Sequence, residues 1–383
     1  KPCYHQIILL VAGLFSLDTM KRTIELGLFY SQSGSYSLIS QACRKGALAA
    51  IDKVNADPTL DFTLRAIERD PKGNIDLYAP LCEEIFKTSS AKHVLGCVTS
   101  WSRKEVIPVL ERAGGSLWYT VPYEGFEASD HVIYTHACPN QHLIPLLDWA
   151  LPTFGEQVFL TGSNYIWGWE MNRLARDIIT WRGGAILGER YLPIGSKDVG
   201  RIIDEIKATR PSFIMNNLIG ESSYEFLAEF RILCETDHYF KSAKPPILSC
   251  NMTECELPVL GENAEGLISV GPYFRGAIGW PGTGEFSSSH EAASFFAVTQ
   301  LAHLLDEVPG ADQNQISESL ATHKSASCAI DHAHHHTSLP VLIAQVVNGA
   351  FSMLKSCGVT AADPYLTRSA PAKVQPINLR VVK

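Results

Sequence analysis

The sequence predicts an α/β protein of two doubly wound lobes, each a parallel sheet with helices on both faces. Short apolar runs alternate with helical stretches from residue 23 onwards, and this pattern restarts near residue 157. A length of 383 residues agrees with two domains. Two late apolar runs, 339–346 and 350–354, are expected to contribute to a multi-strand hinge between the lobes.

The first lobe is predicted from apolar runs that are short enough for buried strands and end in turn-forming residues. The helix predicted over 40–55 is typical of the helices between them, because Ala47, Ile51 and Val54 fall on one face. The predicted strands are 24–30, 62–67, 94–98, 116–119 and 132–134.

The second lobe repeats the pattern, with Gly183 and Gly184 as a helix stop signal. After Pro272 a Gly-rich loop, 276–284, precedes a long apolar-faced helix over 292–305 that is expected to cross back to the first lobe. The predicted strands are 158–161, 186–192, 213–216 and 246–250.

These patterns place the first lobe at 23–140, completed by about 285–335, and the second at 141–275, completed by about 336–366. Residues 367–383 are interpreted as a C-terminal tail.

Residues 1–22 are interpreted as a leader or a disordered N-terminus. The apolar run 7–15 has the length of a signal-peptide core, but it is too short to span a bilayer and no small-residue cleavage site follows it. Met20 directly precedes the first strand, so we favour a vestigial or mis-assigned leader over a functional export signal.

Charge and cysteine usage restrict the partners and the compartment. The net charge is −8 and no basic tract exceeds two residues, which disfavours direct binding to nucleic acid or an anionic membrane. The ten cysteines form no CxxC pair and several lie in apolar runs. We interpret them as reduced core thiols, which favours a cytoplasmic location over a periplasmic one.

Catalytic and metal-binding patterns are weak. Cys97 ends a predicted strand, but no nucleophile elbow and no adjacent base accompany it, so a buried structural thiol is favoured. His332, His334, His335 and His336 could bind a divalent ion, yet without a cysteine or carboxylate at ligand spacing a surface turn is favoured. Phosphate-binding glycine motifs are absent from the sequence, and we expect neither a cofactor nor a metal.

Neutral polar and aromatic residues lie at the ends of the predicted strands of both lobes. Ser100 and Tyr119 belong to the first lobe, Tyr165 and Trp167 to the second. Because open α/β sheets bind ligands at the carboxyl ends of their strands, this set suits a small neutral ligand. The residues alone leave open the alternative that the aromatic side chains are ordinary core residues.

Four ordered motifs resemble one family. The segments 96–104, 119–125, 138–141 and 162–165 are similar to the branch of type 1 periplasmic-binding-protein-like proteins that holds the amide sensor of the amidase operon and the urea-binding subunits of ABC transporters. The segments 335–337, 340–343 and 363–365 resemble the end of the same family.

The resemblance implies that Ser100 pairs the ligand amide through its hydroxyl and backbone N–H. It also implies that Tyr119 and Pro122 line the same lobe and that Tyr165 closes from the second lobe.

Three positions depart from the family pattern. Val98 replaces a residue that is usually aromatic, Val121 a threonine of the amide sensor, and Trp167 a tyrosine. The resemblance therefore implies a ligand site with fewer polar partners and more room near Val98.

The function expected from the resemblance is a non-catalytic, cytoplasmic sensor of a short-chain aliphatic amide, urea or a similar ligand. Such a sensor would control an RNA-binding antiterminator regulator and could form a homo-oligomer. An exported substrate-binding subunit that feeds an ABC permease is the first alternative. An amidase is the second, and the missing nucleophile–base pair disfavours it.

Overall fold

The computed structural model describes residues 21–281, 284–308, 313–322 and 330–368, and within these ranges the strands form two sheets. The first sheet is entirely parallel, in the order β2-β1-β3-β4-β5. Its strands are β1 (Arg22–Phe29), β2 (Phe62–Glu68), β3 (His93–Gly96), β4 (Ser116–Tyr119) and β5 (Val132–Tyr134).

The second sheet has the order β12-β11-β10-β9-β8-β6-β7. Strands β6 to β10 are parallel to one another, and an antiparallel hairpin of β11 and β12 completes one edge. Its strands are β6 (Gln157–Ser163), β7 (Ala185–Leu192), β8 (Phe213–Asn217), β9 (Ile247–Ser249), β10 (Ile268–Gly271), β11 (Leu339–Val347) and β12 (Ala350–Thr360).

Helices cover both sheets, and none in the described ranges combines the length and apolar character that spanning a bilayer requires. They are α1 (Ser37–Ala56), α2 (Tyr78–Thr88), α3 (Ser100–Ala113), α4 (Leu143–Phe154), α5 (Ile166–Trp181), α6 (Gly200–Thr209), α7 (Glu221–Thr236), α8 (His238–Ala243), α9 (Leu257–Leu260), α10 (Ser289–Glu307) and α11 (Gln313–Thr322).

The chain passes between the lobes three times, after β5, after β10 and before β11. Helix α10 returns to the first lobe and packs against α1. The two helices approach so closely that a side-chain carbon at Gly46 would lie 2.1 Å from the carbonyl oxygen of Glu291. The fold class predicted from the sequence, two parallel-sheet α/β lobes, is confirmed.

One strand boundary differs from the prediction in a way that matters for the site. Strand β3 ends at Gly96 and not at Val98, because Cys97 has a left-handed backbone with a φ of 63°. This conformation is costly for a residue with a side chain, and it turns the chain sharply between the strand and helix α3. Residues 1–20 of the predicted leader and most of the predicted tail lie outside the described residues, whereas Arg22, which the sequence placed in the leader, begins β1.

Candidate functional site

A cavity of about 20 Å³ lies between the two lobes, at the carboxyl ends of their strands. All seven residues that the sequence and the resemblance single out as ligand-binding lie in its wall, and the structure thus brings them together. The cavity is lined by Val98, Ser100, Tyr119, Val121, Pro122, Tyr165 and Trp167, and in addition by Ile39, Ile219, Asn251 and His290.

The N-terminus of α3 places Ser100 in the cavity wall. The Thr99 side chain accepts the backbone N–H of Ser102, and the Ser102 hydroxyl accepts the backbone N–H of Thr99. This reciprocal cap fixes the first turn of the helix. Ser100 is the first residue of that turn and is 2% exposed.

A buried carboxylate behind Ser100 is the main polar feature that sequence reasoning missed. The Ser100 hydroxyl donates to Oε2 of Glu124 at 2.6 Å, and Nη2 of Arg103 donates to Oε1 at 2.6 Å. Both charged side chains are almost completely buried. Arg103 and Glu124 lie inside two of the motifs that carry the family resemblance, and a search for opposite charges in those motifs could have found the pair.

Three tyrosine rings surround the guanidinium of Arg103. Its guanidinium carbon lies 5.0 Å from the ring centres of Tyr119 and Tyr123 and 5.9 Å from that of Tyr134. Burial is the largest single effect and opposes the charge on Arg103, but the Glu124 carboxylate together with Tyr134 and Tyr119 raises the pKa of the guanidinium well above its usual range. Arg103 and Glu124 therefore form an ion pair beneath the floor of the cavity.

The hydroxyl of Tyr119 also donates its proton within the protein. It donates to the backbone carbonyl oxygen of Val98 at 3.3 Å, and burial raises the pKa of the phenol. Like the Ser100 oxygen, the Tyr119 oxygen keeps lone pairs for a hydrogen bond from elsewhere. The first-lobe wall consequently presents two hydrogen-bond acceptors to a ligand.

The second lobe contributes aromatic rings and an amide. Tyr165 precedes α5, and its ring centre lies 5.4 Å from that of Trp101, a residue of α3 in the first lobe. Trp167 is 3% exposed, and Asn251 follows β9. Tyr165 thus contacts the first lobe, and Tyr165, Trp167 and Asn251 supply the second-lobe part of the cavity wall.

Four lining residues were not predicted because they lie on elements that are far from the motifs in the sequence. Ile39 belongs to α1, His290 to α10, Ile219 follows β8 and Asn251 follows β9. Nδ1 of His290 lies 3.1 Å from the hydroxyl of Thr253. Burial lowers the pKa of His290 to about 3, so its imidazole is neutral at physiological pH.

The histidines at 332–336 do not form a surface turn throughout. His335 is 4% exposed and His336 is 1% exposed, so this part of the prediction is wrong. His336 is buried because its ring stacks on Tyr134 at 4.3 Å and its Nε2 lies 2.6 Å from the Tyr123 hydroxyl. Among the described residues no group of His, Cys, Asp and Glu side chains is arranged to hold a metal ion.

Cys97 is a buried thiol. It is 0% exposed, and burial raises its pKa well above the usual value, which opposes formation of a nucleophilic thiolate. The eight cysteines of the described residues are all free thiols.

Two α/β lobes that enclose a small cavity lined by neutral polar and aromatic side chains define a solute-binding protein of the two-lobed class. The family model of the periplasmic binding protein domain matches residues 24–371, and the chain belongs to this family.

Solved structures of similar fold come from bacterial ABC transporters. A solute-binding protein from Rhodopseudomonas palustris HaA2, in complex with p-hydroxybenzoic acid, is 18% identical, with a TM-score of 0.77 over 91% of this chain and 100% of that chain. The branched-chain amino acid transporter substrate-binding protein from Streptococcus pneumoniae, in complex with isoleucine, is 16% identical, with a TM-score of 0.72 over 89% and 100%. An amino acid ABC transporter substrate-binding protein from Pseudomonas fluorescens Pf-5 is 15% identical, with a TM-score of 0.73 over 90% and 97%.

At these identities the likeness shows the fold. The family consists of non-catalytic binding proteins, which confirms that the chain is not an enzyme. The comparisons agree with the alternative of an ABC transporter binding subunit. They do not support the cytoplasmic sensor of an antiterminator, and they do not distinguish an amide or urea branch.

Proposed function

We propose that this protein is the substrate-binding subunit of an ABC transporter and that it closes on urea or a short-chain aliphatic amide. The observation that carries the proposal is the hydrogen bond from the Ser100 hydroxyl to the Glu124 carboxylate. This hydrogen bond determines whether the first-lobe wall can pair with a hydrogen-bond donor or an acceptor of the ligand.

Because the Ser100 proton is donated to Glu124, the Ser100 oxygen can only accept a hydrogen bond from a ligand. The same holds for the Tyr119 oxygen, whose proton is donated to Val98. A primary amide or urea supplies N–H donors to these two oxygens. A carboxylate supplies none and would bring a second negative charge towards Glu124, so the acids bound by the similar proteins above fit this wall poorly.

The size of the cavity supports a small ligand. Its volume of about 20 Å³ is only slightly larger than one water molecule requires, which is about 10–15 Å³. With the lobes in this arrangement, the site suits compounds of a few non-hydrogen atoms.

Wall residues come from both lobes, and a bound ligand would therefore favour the closed arrangement over an open one. Closure of this kind is how a two-lobed protein signals to a permease or to a regulatory partner that the site is filled.

The sensor of an antiterminator is a second candidate, and the free thiols favour it. Eight free cysteines with no disulfide among the described residues suit a reducing compartment. Thiol titration of the denatured, unreduced protein isolated from its native compartment separates the candidates. A count near ten supports the sensor, whereas six or fewer indicates disulfides and supports the exported subunit.

Calorimetric titration tests the ligand class. We expect binding of urea, formamide, acetamide or propionamide, and at least a hundredfold weaker binding of the matched acids formate, acetate and propionate. An acid that binds as tightly as its amide contradicts the proposal.

A further inference from the structure

We propose that the side-chain nitrogens of Asn251 and Trp167 bind the carbonyl oxygen of the ligand, so that the second lobe selects compounds that carry a hydrogen-bond acceptor. The inference rests on the proposed function and assigns the polar contacts on the second-lobe side of the same cavity. Both residues line that cavity.

The hydrogen bonds of Ser249 fix the orientation of the Asn251 amide. The Ser249 oxygen accepts the backbone N–H groups of Asn251 and Met252, at 3.2 and 3.1 Å. Its own proton is donated to Oδ1 of Asn251 at 3.0 Å. Oδ1 is therefore the acceptor in this contact, and the NH₂ group occupies the other branch of the side chain.

The NH₂ group of Asn251 has no hydrogen-bond partner among the described residues, although the residue is only 6% exposed. Buried donors are normally paired, because an unpaired one has lost its water and gained nothing in return. An unpaired donor in the wall of a binding cavity indicates that the ligand supplies the acceptor.

Trp167 shows the same feature independently. Its indole N–H has no partner within the described part of the chain, and the residue is 3% exposed. The ring packs edge-on against His142, with 6.0 Å between the ring centres. The resemblance implies a tyrosine at this position, whose hydroxyl can both donate and accept, whereas an indole can only donate.

The two walls of the cavity are therefore complementary. The first-lobe oxygens of Ser100 and Tyr119 accept, and the second-lobe nitrogens of Asn251 and Trp167 donate. A primary amide or urea has N–H groups on one side and a carbonyl oxygen on the other, and it matches both walls in one orientation. Guanidinium has the same planar shape as urea but no acceptor, so it leaves both nitrogens unpaired.

The experiment is a calorimetric titration of urea, acetamide and guanidinium chloride into the parent protein, Asn251→Asp, Trp167→Phe and the control Trp169→Phe. Asn251→Asp keeps the oxygen that accepts from Ser249 and replaces only the donor. Trp169 is the matched control because its indole donates to Asn164 at 3.0 Å and it does not line the cavity.

We expect Asn251→Asp and Trp167→Phe each to bind urea and acetamide at least tenfold more weakly than the parent. Asn251→Asp should also bind guanidinium more tightly than the parent does, a change that a merely structural role would not produce. Trp169→Phe should bind like the parent.

The inference is overturned if both variants bind urea and acetamide as tightly as the parent, and the proposed function then still stands. If the parent binds no amide and no urea, both the proposed function and this inference are wrong. If Asn251→Asp shows no cooperative melting transition, Trp167→Phe decides, because phenylalanine removes the unpaired N–H and keeps a smaller aromatic ring at the same position.

Discussion

Ser100 and Glu124 are joined by a hydrogen bond of 2.6 Å, and Arg103 holds the other oxygen of the same carboxylate at 2.6 Å. The fold therefore contains a buried ion pair directly behind the residue that is expected to touch the ligand. Buried pairs are a weak source of net stability, but loss of one partner leaves an uncompensated charge in the interior. The stability of the protein and the chemistry of the site thus depend on the same carboxylate.

Glu124→Gln is expected to destabilise the protein by about 3 kcal/mol. Arg103 then remains buried without the carboxylate at 2.6 Å and keeps only Glu127, at 3.8 Å from its Nε, as a counter-charge. Chemical denaturation measures the change in the free energy of unfolding. Glu83→Gln is the matched control, since Glu83 pairs with Lys87 on the surface of α2 and both side chains are exposed. The control should change stability by less than about 0.5 kcal/mol, and equal effects of the two substitutions would show that the buried pair is unimportant.

Gly220 and Ser35 provide a test of lobe closure that does not touch the cavity. Gly220, in the second lobe, has a φ of 57°, and a side-chain carbon there would lie 1.8 Å from the carbonyl oxygen of Ser35 in the first lobe. We expect Gly220→Ala to hold the lobes apart, to enlarge the radius of gyration in the presence of ligand and to weaken ligand binding at least tenfold.

Gly261→Ala is the control for that experiment. Gly261 has a similar left-handed φ of 52°, but a side-chain carbon there would meet no atom within 4 Å. Both substitutions carry the same backbone strain, and only Gly220→Ala should alter the scattering and the affinity. If the two variants bind alike, the closure contact plays no part in binding.

His142 predicts a pH dependence of stability. Burial lowers its pKa to about 4, whereas an unfolded histidine has a pKa near 6.5. The unfolded state therefore binds the proton first, and the stability that is present above pH 6.5 is lost as the pH falls towards 4. Between pH 7.5 and pH 5 this one group should remove about 2 kcal/mol.

The variant His142→Gln isolates that contribution. Glu254 and Glu256 have pKa values that burial raises to about 7, and they change stability in the opposite direction over the same pH range. The free energy of unfolding is therefore compared between parent and variant at both pH values. The difference between parent and variant in the free energy of unfolding should change by about 2 kcal/mol between pH 7.5 and pH 5. A parent and a His142→Gln variant with parallel pH profiles of stability would refute the assignment.

The sequence predicted the lobes because strand and helix periodicity are local properties of the chain. It also predicted the cavity wall around Ser100, Tyr119 and Tyr165, since all three lie at or just after the ends of strands and in recognisable motifs. The left-handed turn at Cys97 was not predictable, because a local apolar run gives no sign that a strand ends within it.

Long-range contacts account for most of what was missed. His290 and Asn251 reach the cavity only after α10 returns to the first lobe and β9 takes its place in the second sheet. His336 looked like a surface residue because its neighbours are polar, yet stacking on Tyr134 buries it. Such contacts join residues far apart in sequence, and no periodicity reports them.

The measurement that tests the central claim most directly is the affinity of Ser100→Ala for urea and acetamide. The substitution removes the oxygen that accepts the ligand N–H, and it also leaves an oxygen of Glu124 without a partner. We therefore expect a loss of stability of about 1–3 kcal/mol and binding that is at least tenfold weaker at a temperature where the variant is fully folded. Ser129→Ala, which changes a half-buried serine outside the cavity, should bind like the parent. A folded Ser100→Ala protein that binds both ligands as tightly as the parent would contradict the assigned site.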